Sequence, residues 1–358
     1  MAETNATILI PDISGFTEFV TGTELTHSSH AINYLIDAIV NAVGEEYELS
    51  EVEGDAVLLT KKGPAPTKKE IQYVCLRIFN AFQYQRKWMQ QHTICPCGAC
   101  QAIINLTLKF VVHHGPVAEI KVGRFVKPSG TEMIVAHRLL KNSIANNEYL
   151  LMTEKLLQQF PEQTEFEMGW TRSSEVYPAI GKIDYRFTLL QEARKSVPEP
   201  PLLQNEYRTD DTSYLEMMIR ANYMDVYMMV TTIAKRAEWM PGLKAVEQDG
   251  TDAYIGSMHH CVFDDYHTIV SPMRMTVSEE GIMYAESCKM EEMDISFVYE
   301  YVFKKTGDKT SIFSCRFMNM IESQVPEEIN AVLFERLQRM AERLKERCEK
   351  MCVEGVKA

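Results

Sequence analysis

The stretch from Ile8 to Phe19, ILIPDISGFTEF, restricts the fold most when taken with Glu51-Val52-Glu53-Gly54-Asp55 about forty residues later. The apolar run Ile8-Leu9-Ile10 reads as a buried strand that delivers Asp12 at its end, and Gly15 breaks the run. The second Gly-Asp pair stands before another apolar run, Ala56 to Leu59. Carboxylates at the tips of neighbouring strands suit a divalent metal, because Mg²⁺ takes oxygen ligands and needs only one or two carboxylates beside substrate phosphates. The same residues also suit plain turn roles, Asp12 as a cap and Gly54-Asp55 as a hairpin.

The remaining signals describe a chain of mixed α and β order. Ile32, Leu35, Ile36, Ile39, Val40 and Val43 recur at one-face helical spacing, so 30–43 is expected as a helix ended by Gly44. A hairpin is expected over Glu46–Leu49 and Ala56–Thr60, a long helix over 68–91, and a strand over 103–113. A helix over 130–142, a strand over 149–152 and a last strand over 185–190 complete the first half. Ser196-Val197-Pro198-Glu199-Pro200-Pro201 is the linker signal, since prolines at this density suit neither helix nor central strand. The expected domains are 1–195 and 210–358, joined by 196–209.

The second half offers a strand at 213–221, a helix at 223–239 stopped by Pro241-Gly242, and strand-like runs at 253–257, 266–273, 281–288, 296–304 and 310–318. A long helix over 326–353 closes the chain, with Ile329, Val332, Leu333, Leu337, Met340 and Leu344 as its apolar stripe. Met217, Met218, Met224, Met228 and Met229 read as core or as the lining of a cavity, a role methionine fills well.

The net charge of −13 argues against nucleic acid or an anionic membrane surface as a partner. The N-terminus lacks the form of a signal peptide and no apolar run reaches membrane-spanning length, so the expected location is cytoplasmic. Nine cysteines then read as reduced thiols or metal ligands. Among them, His92, Cys95, Cys97 and Cys100 make a His-x₂-Cys-x-Cys-x₂-Cys run, four ligands of the kind Zn²⁺ takes tetrahedrally. The alternative is a thiol-rich loop without metal.

ILIPDISGFTEF resembles the opening of a class III nucleotidyl cyclase catalytic domain, which has an Asp-Ile-x-x-Phe-Thr motif. EVEGDAVLL resembles that family's second metal motif, FVVHHGPV its His-x-Gly-x-Val strand, and GTEMIVAHRLL its Gly-x-x-x-x-x-Ala-x-Arg helix, all in family order over 6–190. The resemblance implies an α+β fold, a ferredoxin-like cyclase-type sandwich with helices on one side of the sheet. It implies Asp12 and Asp55 as ligands of two Mg²⁺ or Mn²⁺ ions, and a nucleoside triphosphate as substrate. It makes Glu51 a reader of the purine, with GTP favoured over ATP, and puts Lys127 at the second base-reading position, where the family has Asp or Cys; a lysine there supports neither purine and suits a phosphate or solvent equally well. Arg138 matches the arginine that stabilises the transition state across a homodimer interface, and Lys182 matches a late phosphate-binding lysine. Ile134 stands where the family has the Asn that orients the ribose.

The segment KRAEWMPGLKAVEQDG resembles a passage of START-like, polyketide-cyclase-like (SRPBCC) helix-grip domains, and the similarity of pattern covers roughly 210–355. It implies an antiparallel sheet wrapped on a long C-terminal helix, with an apolar small molecule or lipid held between them. The alternative for the whole chain is a cyclase homologue without turnover, acting as a sensor of that ligand.

Overall fold

In a computed structural model, the described residues are 3–22, 25–95, 98–123, 125–160, 169–201, 214–248, 254–264, 266–320 and 325–354. The architecture is α+β. The chain divides into two compact units: 1–91 with 97–200, and 92–96 with 201–358.

The strands of the first unit are β1 (Thr4–Ser14), β2 (Glu48–Glu53), β3 (Ala56–Lys62), β4 (Thr107–Val122), β5 (Phe125–Ser129), β6 (Tyr149–Thr153), β7 (Thr171–Tyr177) and β8 (Gly181–Leu189). They form one sheet in the order β2-β3-β1-β4-β6-β8-β7, with β5 paired to β4. Every pairing is antiparallel except that of β4 with β6. The helices are α1 (Phe16–Thr21), α2 (Leu25–Val43), α3 (Lys68–His92), α4 (Gly98–Ala102), α5 (Thr131–Leu139), α6 (Glu154–Leu157) and α7 (Gln191–Lys195).

β1 is central, which is why its sequence is apolar on both faces. Leu9 and Ile13 pack with α2 and α3 through Leu35, Ile39, Ile78 and Phe82. Ile8 and Ile10 point the other way, to Met133 and Ala136 of α5. Each such residue, fully buried, contributes roughly 1.5–3 kcal/mol. Helices therefore cover both faces of this sheet, not one as expected. The period of two then fixes the site: Asp12 has the parity of Ile8 and Ile10, so it lies on the α5 face. Its cross-strand partners are Ala56 on β3 and Lys109 on β4. Glu51 pairs with Leu58 and Glu53 with Ala56, both of which face α5.

The second unit holds β9 (Leu215–Ile219), β10 (Ala245–Gln248), β11 (His259–Val262), β12 (His267–Ser278), β13 (Gly281–Met290), β14 (Ile295–Gly307) and β15 (Thr310–Asn319). The sheet order is β10-β11-β12-β13-β14-β15-β9, antiparallel throughout. Its helices are α8 (Tyr223–Thr231), α9 (Arg236–Trp239) and α10 (Glu327–Glu354). α10 buries Leu333, Leu337, Met340, Ala341 and Leu344 in a core with Tyr227, Trp239, Tyr301 and Phe303.

The helix expected over 223–239 is broken. Thr232 is extended, and Thr231, Thr232 and Ile233 are consecutive β-branched residues with restricted side-chain torsions in a helix. The strand expected over 253–257 is absent at the described residues, where Tyr254 makes only an isolated bridge to Thr93. Met217, Met224, Met228 and Met229 belong to or pack against the core, and Met218 is exposed. Among the described residues no helix is long and apolar enough to cross a membrane.

Candidate functional site

Asp12 is buried at the end of β1, and Lys109 on β4 reaches its Oδ2 at 3.0 Å. The Lys109 ammonium also donates to the Leu140 carbonyl oxygen at 3.2 Å, just past α5. Asp55 is tied in from the β2–β3 turn, where its carbonyl oxygen accepts from the Ile13 amide at 3.0 Å. Burial raises the Asp55 carboxyl above its ordinary range, and the Asp12 charge pushes it the same way. Two carboxylates thus share one site with one lysine.

A second group lies on the same sheet face. Lys127 on β5 forms ion pairs with Glu51, and with Glu53 at 3.3 Å. The hydrogen bond to Glu51 raises the Lys127 ammonium, with a smaller contribution from Glu53. His137 of α5 stands 3.8 Å from the other oxygen of Glu53. Burial works to raise Glu53, but the Lys127 hydrogen bond and the His137 charge outweigh it and its carboxyl is lowered.

Arg138 is exposed in the last turn of α5, with Tyr177 on β7 as an electrostatic neighbour. Ile134, one turn earlier on the same helix face, is 53% exposed. Lys182 on β8 pairs with Asp184 at 2.6 Å. In the sheet order β8 lies three strands from β1, roughly 14 Å at the usual strand spacing of ~4.8 Å. The described contacts therefore join Asp12 with Asp55 and Glu51 with Lys127, and leave Arg138 and Lys182 apart from both.

Under α5 runs a buried chain of hydrogen bonds. Thr153 Oγ1 meets His113 Nδ1 at 2.8 Å, and His113 Nε2 meets Glu132 Oε2 at 2.5 Å. Lys155 donates to the other Glu132 oxygen at 2.6 Å. The His113 hydrogen bond, with Lys155 assisting, overcomes burial and lowers Glu132 to about 2. Gly115 makes room for this, since a Cβ there would stand 2.8 Å from Glu132 Cγ. His113 and His114 are therefore core residues and are polar-paired within it; Thr7 satisfies His114 at 3.0 Å.

His92 ends α3 and is buried, while Cys95 and Cys100 are half-buried. Cys97 lies outside the described residues. Among the described residues no group of three or more His, Cys, Asp or Glu is arranged to hold a metal ion. Asp12 and Asp55 are two oxygen donors, which fits a hard cation completed by substrate oxygens. Lys109, Glu53 and His137 had not been singled out from the sequence. The available signal was Lys109 itself, one charge in the apolar strand TLKFVV, on the parity that meets Asp12.

The model of a family described as a protein of unknown function (DUF2652) matches residues 32–149. The uncharacterized protein Rv2561/Rv2562 of Mycobacterium tuberculosis is 34% identical over 131 residues, which are 36% of this chain and 59% of that protein. This chain thus spans less than two thirds of that relative. Similar solved structures include the guanylyl cyclase Cya2, at TM-score 0.38 and 15% identity over 56% of this chain and 95% of that one. The guanylate cyclase domain of RhGC from Catenaria anguillulae, in complex with GTP, gives TM-score 0.39 and 17% identity over 52% and 98%. A bacterial light-regulated adenylyl cyclase gives 0.38 and 15% over 55% and 97%.

Proposed function

We propose that the first unit is a nucleotide-binding domain of class III cyclase type, which holds a nucleoside triphosphate with Mg²⁺ or Mn²⁺ and favours GTP over ATP. The observation that carries this reading is the juxtaposition of Asp12 and Asp55 on the sheet face that also presents Glu51 and Lys127. Asp12 and Asp55 would hold the metal, which when bound supplies positive charge against phosphate oxygens. Lys109 adds a fixed positive charge there and orients the Asp12 carboxylate.

The Glu51–Lys127 pair supplies an acceptor beside a donor. Guanine offers two N–H donors and one oxygen acceptor on the matching edge, so both side chains are satisfied and Glu51 is used twice. Adenine offers one acceptor and one donor there, which leaves one interaction fewer. A homodimer would bring a second Arg138 to the site, and Lys182 would act on phosphate only in such an assembly. The second unit is read as a helix-grip domain that holds an apolar small molecule.

A second reading, nucleotide binding without turnover, is favoured by Ile134. An exposed isoleucine one turn before Arg138 cannot hydrogen-bond a ribose. The test is to incubate the full chain with Mn²⁺ or Mg²⁺ and GTP or ATP, and to measure both binding and cyclic product beside Asp12→Asn. Metal-dependent binding is expected, with GTP about tenfold tighter than ATP, or about 1.4 kcal/mol. Asp12→Asn should abolish it. Cyclic product supports the enzyme, and binding without product supports the second reading. Absence of binding by either nucleotide overturns both.

A further inference from the structure

Within the second unit a cavity of about 280 Å³ lies between β11–β14 and α10. Phe263, Val270, Met290, Phe297 and Leu333 make its walls apolar. The methionines that line it are Met240, Met290 and Met293, not those of 217–229. The hydroxyls of Tyr266, Thr268 and Tyr299 and the guanidinium of Arg336 interrupt this lining, beside the thiols of Cys261 and Cys288.

Tyr299 is 3% exposed, and its hydroxyl has no hydrogen-bond partner among the described residues; the buried Tyr266 hydroxyl has none either. A buried polar group left unpaired costs about 1–3 kcal/mol, so such a group in a cavity wall points to a ligand that completes it.

Arg336 is the more telling group. Its guanidinium lies over the ring of Phe263 at 4.3 Å and that of Tyr266 at 5.3 Å, and these two rings stack at 4.6 Å. Burial lowers it to about 10, which leaves it charged at neutral pH. Other arginines of this unit have carboxylates: Arg236 has Glu286, Arg316 has Glu300 and Arg347 has Glu238. Arg336 has no ion pair among the described residues, and its neighbour Glu335 is turned to Arg339 at 3.5 Å. A half-buried cation facing an apolar cavity without a counter-ion is the arrangement that an anionic ligand completes.

We propose that this cavity binds an apolar molecule with a single carboxylate, whose head group pairs with Arg336 and whose body fills the space lined by Phe263, Met290 and Phe297. Tyr299 donates to a ligand oxygen. The proposal rests on the second unit being a ligand-binding domain and adds the charge of the ligand. The volume stands at the lower end of small-molecule pockets, roughly 300–1,000 Å³, which suits one short chain or a small ring system rather than a two-chain lipid.

The experiment uses calorimetry on the full chain with octanoate, octanol and octylamine. Octanoate should bind at least tenfold more tightly than octanol, and octylamine should bind weakest. Arg336→Gln should bring octanoate down to the level of octanol, and Arg336→Lys should restore part of the difference. Tyr299→Phe should weaken octanoate several-fold. Equal binding of acid and alcohol to the native protein would overturn the charge assignment and leave the apolar cavity standing. Failure of all three probes to bind would overturn the ligand-binding reading with it. The native-protein comparison needs no variant, so a poorly folded Arg336→Gln does not blunt the test.

Discussion

In the first unit Asp12 meets Lys109 at 3.0 Å; in the second, Glu286 meets Arg236. The partners are alike and the settings are opposite. Glu286 is fully buried and accepts from both terminal guanidinium nitrogens of Arg236. It also takes the hydroxyls of Tyr284 at 2.8 Å and Tyr301 at 3.2 Å. Its four acceptor sites are used and nothing reaches it. Asp12 shares its end of the sheet with a second carboxylate that burial and its own charge push upward. One lysine answers two acids there. A closed ion pair is framework, and an open one with charge to spare is a site. Arg336 is the same contrast in reverse, a cation whose acid is not among the described residues.

The largest expected effect breaks the closed pair. Glu286→Leu leaves a buried guanidinium uncompensated and should cost about 3–5 kcal/mol in urea unfolding. Combining it with Arg236→Met should recover most of that, since two apolar groups of similar volume replace the pair. If the single change costs under about 1 kcal/mol, the pair is not the framework described here.

A smaller effect follows from His259, buried on β11 beside Arg236. Burial, then the charges of Arg236 and His260, lower its imidazole to about 2. Its folded value is thus depressed below the ordinary 6.5. The unfolded chain takes up a proton below pH 6.5 and the folded one does not. Stability is therefore full above pH 6.5 and is lost as the pH falls toward 2, by about 1.4 kcal/mol per pH unit. At pH 5 the loss is about 2 kcal/mol. Unfolding curves of native protein and His259→Leu between pH 7 and 5 should diverge by that amount.

The smallest effect sharpens the open pair. Lys109→Gln removes the cation already seated on Asp12, so Mn²⁺ measured by spin resonance should bind about three- to tenfold more tightly. Weaker Mn²⁺ binding would mean that Lys109 orders the carboxylates more than it competes for them.

Much of this was legible in the chain. β1, α2, α3 and α10 carry strong periods, and their cores form where those periods point. Asp12 and Asp55 were readable because each ends or begins an apolar run. β7 was missed because Thr171–Tyr177, at the end of the sheet, is half polar and lacks a clear alternation. β5 was missed as a five-residue strand that, among the described residues, pairs in the sheet with β4 alone. The Glu51–Lys127 contact joins distant positions, and no local pattern announces it. Arg336 looks like any arginine of a charged helix until Phe263 and Tyr266 are folded beneath it. The methionines of 217–229 were readable as core or cavity lining, and those other than exposed Met218 fall in or against the core.

The segment His92–Pro96 belongs by its contacts to the second unit although it is written into the first half of the gene. Ile94 is buried in that unit's core, its carbonyl oxygen accepts from the Tyr227 hydroxyl, and the His92 carbonyl oxygen accepts from the Ile255 amide at 2.8 Å. A recombination event, or a cloning primer, set at the proline-rich join would deliver the second unit one core residue short. During translation Ile94 also precedes its core partner Tyr227 by more than a hundred residues.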